Sequence, residues 1–207
     1  YIKEYDIHGK QSSYAYYNSN DVLTSEQVYT YDNAGYLTQL LTTKYNQDGT
    51  VSQQTGHKAL FDERGNLLEE HTSMQLDGSY RMKVVNTYNA QNALTSISNY
   101  DTGTLQRRTE YIYNVDNQLV TMNYYDREEI EPSTTRQYNY NELGILASTL
   151  YNSGSLTITA TYTYNERGQL LEHFSDSNHN STGHNKTQYE YDAQGNQTHY
   201  RKYKWIS

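Results

Sequence analysis

The residues of this 207-residue chain that could do chemistry are seven histidines, a glutamate run and many tyrosines. His179 and His184 share the polar stretch 176–186 with Asp176 and several asparagines, a composition able to chelate a cation. Zinc sites space their ligands more tightly, so a solvated loop is the expectation. Glu128-Glu129-Ile130-Glu131 offers neighbouring carboxylates, the pair that hydrolysis needs. That chemistry also requires a pocket that raises one pKa, and an exposed charge run is expected instead. Repeated Asp/Asn-x-x-Gly segments imitate calcium loops but supply one carboxylate or amide each, where a calcium loop supplies several. Asn180-Ser181-Thr182, Asn185-Lys186-Thr187 and Asn196-Gln197-Thr198 match the glycosylation triplet, as chance allows in an Asn/Thr-rich chain. No nucleophile elbow, phosphate loop or zincin motif occurs. The sequence therefore predicts no catalytic residue, no metal ligand and no cofactor, and it assigns no ligand-binding residue. Its one feature suited to binding is tyrosine rows, whose rings could stack on sugars or peptides. The competing expectation is that those rings pack on each other and on leucines.

What must position them is a local hairpin, clearest at Tyr162-Thr163-Tyr164-Asn165-Glu166-Arg167-Gly168-Gln169-Leu170. Asn165 suits the first position of a type I turn, since its side chain can bond its own backbone two residues on. Gly168 supplies a positive φ at little cost. Such a turn followed by a left-handed residue closes a short hairpin with a bulge. The expected register sets Asn165 opposite Gln169, Tyr164 opposite Leu170 and Tyr162 opposite Glu172. Tyr164 and Leu170 then share a face.

Versions of this hairpin recur at Tyr5, Tyr31, Phe61, Tyr88, Tyr113, Tyr140, Tyr164 and Tyr191, at intervals of 24 to 30 residues. Asp or Asn always follows the anchor. Three residues further stands Gly9, Gly35, Gly65, Gly144, Gly168 or Gly195, with Asn92 and Asn117 in two copies. The leucine two beyond is present except in the outermost copies, where Gln11 and Gln197 replace it. A second turn halfway along each repeat is legible at Asp48-Gly49, Asp77-Gly78, Tyr100-Asp101-Thr102-Gly103 and Tyr151-Asn152-Ser153-Gly154. The prediction is an all-β fold. About eight two-stranded antiparallel units (β-hairpins) form a single repeat array over 1–207, with incomplete terminal repeats. Units of this length stack on their neighbours. The array becomes one long, twisted, curling meander sheet. Its structural turns are Gly35, Gly65, Gly144, Gly168 and Gly195. Its structural stripe is Tyr31 with Leu37, Tyr88 with Leu94, Tyr113 with Leu119, Tyr140 with Leu146 and Tyr164 with Leu170, lining the concave side. Thr30, Thr87, Thr163 and Glu190 should face solvent.

The pattern Tyr-x-Tyr-Asp/Asn-x-x-Gly-x-Leu closely resembles the YD repeat of the Rhs proteins, which include polymorphic toxins, insecticidal toxin-complex subunits and teneurins. The resemblance spans essentially the whole chain. It implies a spiralling antiparallel sheet that in large members closes into a hollow shell. The Rhs core-end signature with Asp-Pro and Gly-Leu is missing: the one proline, Pro132, stands in Glu131-Pro132-Ser133. Self-cleavage and toxin delivery are therefore not implied.

Composition bounds the rest. Hydrophobic residues make up 34%, mean hydropathy is −1.02, and 25 tyrosines set the chain apart from disordered sequences, which are poor in aromatics. Tyrosine buries a ring and keeps a hydroxyl wet, which suits a structure without a deep core. There is no cysteine, so disulfides and thiolate metal sites are excluded. A net charge of −8 argues against a nucleic-acid partner. No apolar run approaches the length of a membrane-spanning helix, and neither strand face carries the apolar band of an outer-membrane barrel. The chain opens inside a repeat, as a trimmed or mature protein would. The expected function is a non-enzymatic, bacterial, secreted or cell-surface scaffold or binding module, part of a larger shell or adhesin. Expected partners are a glycan or another surface protein, with edge-to-edge self-association. The alternatives are a carbohydrate-binding module using exposed tyrosines and a hydrolase with a loop-borne site.

Overall fold

The computed structural model describes residues 1–74, 78–178 and 184–205. Every regular element in them is a strand: β1 (Ile2–Tyr5), β2 (Gln11–Tyr17), β3 (Leu23–Tyr31), β4 (Leu37–Tyr45), β5 (Val51–Phe61), β6 (Leu67–Met74), β7 (Tyr80–Tyr88) and β8 (Leu94–Asp101), then β9 (Thr104–Tyr113), β10 (Leu119–Asp126), β11 (Thr134–Tyr140), β12 (Leu146–Ser153), β13 (Leu156–Tyr164), β14 (Leu170–Ser177), β15 (His184–Tyr191) and β16 (Gln197–Trp205). They form one antiparallel sheet whose spatial order is the sequence order. The chain divides into two compact units, Tyr1–Arg108 and Thr109–Ser207. Each unit repeats the same hairpin.

The turn chemistry explains the hairpins. Asn165 Oδ1 accepts the amides of Arg167 and Gln169, both at 3.0 Å. The Gly168 amide donates to the Asn165 carbonyl at 2.9 Å, and Gly168 has φ 75°. Asp62, Asn114 and Asn141 accept their own downstream amides in the same way. Asn92 and Asn117 take the left-handed position at φ 69° and 60°. Of the mid-repeat turns, Gly49, Gly78, Thr102, Gly103 and Gly154 have positive φ. Asp77 lies outside the described residues.

The register departs from expectation one step beyond the turn. Tyr164 pairs with Leu170, but Thr163 then pairs with Glu172, so Leu171 has no opposite residue. Tyr162 consequently faces His173, not Glu172. The cause is a second bulge, which places two residues against one. It recurs with Thr38, Leu68, Thr95, Ala147 and Thr198 as the extra residue. Thr38 and Thr198 donate their hydroxyls back across the bulge to the carbonyls of Thr30 and Glu190, at 3.1 and 3.2 Å.

Two further copies of the hairpin sit at the other ends of the strands. Tyr17-Asn18 leads to Asp21 at φ 56° and Leu23, and Tyr45-Asn46 leads to Gly49 and Val51. Tyr17 pairs with Leu23 and Tyr45 with Val51, each beside a bulge. The sequence carried the signal, an Asn followed three residues on by Asp or Gly.

Alternation sorts the faces. Along β13, Thr159, Thr161 and Thr163 are exposed, while Ile158, Ala160, Tyr162 and Tyr164 are half-buried or buried. Thr30, Thr87 and Glu190 are exposed too. All ten stripe residues are half-buried, none buried. Among described residues the buried apolar ones are Ala59, Tyr125 and Ala160, and no large side chain is fully enclosed. Within each unit, strand contacts are between neighbours in sequence.

Candidate functional site

The anchor tyrosines use their hydroxyls to join hairpins. Tyr164 donates to the Leu146 carbonyl at 2.8 Å, Tyr140 to Leu119 at 2.8 Å and Tyr191 to Leu170 at 2.9 Å. Tyr31 donates to Gln11 and Tyr88 to Leu67, each at 3.1 Å. In every case the acceptor is the first residue of the preceding hairpin's return strand. The reason lies in the ladders: β12 and β13 stop pairing at Ser148 with Thr161, two residues short of Leu146. A hydroxyl at the end of a long planar side chain reaches the carbonyl that the diverging strands leave open. Phe61 has no hydroxyl, and its ring stacks on Tyr36 at 4.9 Å instead. Burial, and then the neighbouring Tyr162, hold the Tyr164 hydroxyl above the usual tyrosine range.

The turns also dock on one another. Gln118 and Gln169, each just after its turn, donate to the carbonyls of Gly144 and Gly195 in the next turn, at 2.9 and 2.8 Å. Lys10 does the same to Gly35, and Tyr36 lies over Gly65. Arg64 and Arg167 reach Ala90 and Ala193, 26 residues on in both cases. The turn glycines thus serve twice, for positive φ and for space beneath the preceding turn's side chain. Gly9 follows no turn and has nothing near its Cβ position.

The chemistry-bearing residues singled out in the sequence are dispersed. His184 pairs with Asp176 at 2.7 Å, while His179 and the Asn180 triplet lie outside the described residues. His57 pairs with Glu70 at 2.8 Å and His71 with Glu69 at 3.0 Å. Among the described residues no three His, Cys, Asp or Glu side chains are grouped to hold a metal. Glu128, Glu129 and Glu131 lie on an exposed loop with Ile130, itself 89% exposed. Asn196 spends its amide on Asp192 inside a turn, and Asn185 sits on β15. Glu172 is held below the usual carboxylate range by Lys186, 2.6 Å away, and by Gln188. No helix of the described residues is long and apolar enough to cross a membrane.

One concavity lies on the tyrosine face of the second unit. It is a groove of about 570 Å³ between β11, β12 and β13, with walls of Arg136, Tyr138, Tyr151, Ile158 and Tyr162. Register explains it. Arg136, Tyr151 and Ile158 form one cross-strand row, and Tyr138, Thr149 and Ala160 form the next. Small side chains in the second row, between large ones, leave a trough. The Arg136 guanidinium lies over the Tyr151 ring at 5.3 Å, and His173 stacks on Tyr162 at 4.9 Å. Unlike the anchors, Tyr138, Tyr151 and Tyr162 have hydroxyls with no hydrogen-bond partner among the described residues. The sequence showed the tyrosines but not this division into bonded and unbonded ones.

No protein-family model matches the chain, and no curated protein matches it. Among solved structures, the chain is similar to the crystal structure of TcdB2-TccC3-TEV, with 11% identity, a TM-score of 0.49, and coverage of 98% of this chain and 15% of that one. TcdB2-TccC3-Cdc42 follows at 10% identity and a TM-score of 0.46, covering 93% and 16%. A porin-like protein from Bacteroides uniformis ATCC 8492 has 13% identity and a TM-score of 0.32, covering 86% and 87%. The chain thus spans about 15% of the length of the first of these structures. At these identities and scores the likenesses add nothing to the sheet already described.

Proposed function

We propose that the chain is a non-enzymatic YD-repeat module: a single series of repeats over residues 1–207 that acts as a scaffold segment of a bacterial secreted or cell-surface protein. Its partners on this reading are another surface protein or a second sheet edge. The observation that supports it is the use made of the repeated residues. Five anchor tyrosines spend their hydroxyls on joining one hairpin to the one before. The repeat is thus built to extend a sheet, and the stability of such an array is a sum of unit and interface terms. Excising residues 138–161 tests this, because Tyr162 then follows Gln137 in the phase that Tyr138 held. The shortened chain should keep its β circular dichroism and unfold at lower urea. Complete loss of structure would overturn the modular reading, and turnover in a panel of ester, peptide and glycoside substrates would overturn the non-enzymatic one.

A second reading, carbohydrate binding, is favoured by the groove. Half-buried aromatic rings with unbonded hydroxyls match the apolar face and hydroxyl rim of a sugar. A glycan array probed with the whole chain tests it; a blank array counts against it.

A further inference from the structure

We infer that the groove between β11, β12 and β13 takes an anionic sugar, with the sugar carboxylate on Arg136 and the pyranose ring over Thr149, between Tyr138 and Tyr162. This rests on the carbohydrate reading above and narrows its ligand class.

The groove has a size usual for small-ligand sites, which are mostly apolar with a few placed polar groups. Its apolar part is the faces of the three tyrosines with Ile158, and Ala160 beneath the trough is 8% exposed. Its polar part is four hydroxyls, on Tyr138, Thr149, Tyr151 and Tyr162, with no hydrogen-bond partner among the described residues. A polyhydroxylated ring with a flat apolar side satisfies both sets. A peptide strand does not, because it binds a sheet through free backbone groups. Here β12 is paired on both sides along the groove, to β11 and to β13.

Arg136 decides the charge. It is exposed and has no carboxylate or hydrogen-bond partner among the described residues, only the Tyr151 ring. Arg81 and Arg201, by contrast, are paired with Asp101 and Glu190 at 2.7 and 2.9 Å. A planar guanidinium stacked on an aromatic ring keeps its donor edge open, and that edge matches a carboxylate. The chain carries a net charge of −8, so it has no general attraction for anions. Preference for an acidic sugar over its neutral form would come from this contact.

The test is calorimetric titration of the whole chain with trisaccharides of galacturonate, glucuronate and mannuronate, each beside its methyl ester. Esterification removes the charge and keeps the ring. At least one acid should bind about tenfold or more tighter than its ester, the factor expected of a charge-assisted hydrogen bond. Arg136→Gln should erase that difference, bringing the acid down to the affinity of its ester. Tyr162→Ala should weaken acid and ester alike, with circular dichroism checking the fold of both variants. Equal binding of acid and ester would overturn the anionic assignment while leaving the carbohydrate reading standing. Binding of none of the six sugars at millimolar concentration would overturn both. A peptide ending in an aromatic residue that binds through Arg136 when the sugars do not would replace the sugar with a peptide carboxylate.

Discussion

Replacing Tyr164 by Phe removes one hydroxyl and keeps the ring. That hydroxyl donates to the Leu146 carbonyl at 2.8 Å, at a point where β12 and β13 no longer pair. A neutral hydrogen bond contributes about 0.5–1.5 kcal/mol net. Leu146 is half-buried, so water can reach its surroundings and a middle value of about 1 kcal/mol applies. For a chain of this size that corresponds to a fall in Tm of about 2–4 °C. Tyr162→Phe is the matched control: its hydroxyl has no protein partner among the described residues, so its change should stay within about 0.5 kcal/mol. Urea titrations followed by circular dichroism should separate the two midpoints at a common slope. The five hydrogen bonds belong to different hairpins, so their effects should add. Phe at 31, 88, 140, 164 and 191 together should cost about 5 kcal/mol, the lower end of a whole domain's stability. Phe61→Tyr should act in reverse by reaching the Leu37 carbonyl, gaining up to about 1 kcal/mol. Coincident melts for Tyr164→Phe and Tyr162→Phe, or a fivefold variant as stable as the parent, would refute the role given to these hydroxyls.

Gly65→Ala should cost more than Gly9→Ala: both positions have positive φ, which costs a non-glycine residue about 1–2 kcal/mol, but only at Gly65 does the new methyl meet the Tyr36 hydroxyl. Equal melting temperatures would count against turn docking. Tyr140→Ala should cost about 2–3 kcal/mol, less than a fully buried ring, whereas Thr163→Ala on the exposed face should stay within about 0.5 kcal/mol; indistinguishable urea midpoints would reverse the assignment of faces. Burial raises the hydroxyl pKa of Tyr45, Tyr113 and Tyr164, and the hydrogen bond with Tyr16 is the largest cause pushing Tyr14 up to about 12. A raised tyrosine pKa means that the folded chain holds the proton longer, so stability should be fully present below about pH 10 and fall as pH rises through the folded values. An unchanged urea midpoint at pH 11.5 would contradict this. On the acid side, Asp62 and Asp192 are held low by the side-chain amides of Asn66 and Asn196, so their contribution should be present above about pH 4 and lost below it.

The hairpins were legible because their cause is local. Asn165, Gly168 and their counterparts act within five residues, so spacing alone yields strand order and the all-β class. The Asx and left-handed chemistry of each turn belongs to residue type and was readable without any tertiary contact. The far turn at Asp48-Gly49 was legible for the same reason, whereas the one after Tyr17 was not, because Asp21 stands where a glycine would have marked it.

What tertiary structure alone decided begins at the second bulge. Nothing in Leu170-Leu171-Glu172 announces that Leu171 will lack a partner, yet that one residue sets which side chains share a face from there on. It puts His173 rather than Glu172 beside Tyr162, and the matching bulge at Ala147 sets Tyr138 opposite Thr149, in line with Ala160, as a trough. Tertiary structure also separates two kinds of tyrosine that read alike in sequence: anchors such as Tyr140 and Tyr164, whose hydroxyls close the ends of ladders, and Tyr138 and Tyr162 two residues earlier, whose hydroxyls have no partner among the described residues. Sequence fixes a turn because the interacting atoms are neighbours in the chain. The groove depends on where three neighbouring strands stop pairing, and that is settled only when all the bulges are in place.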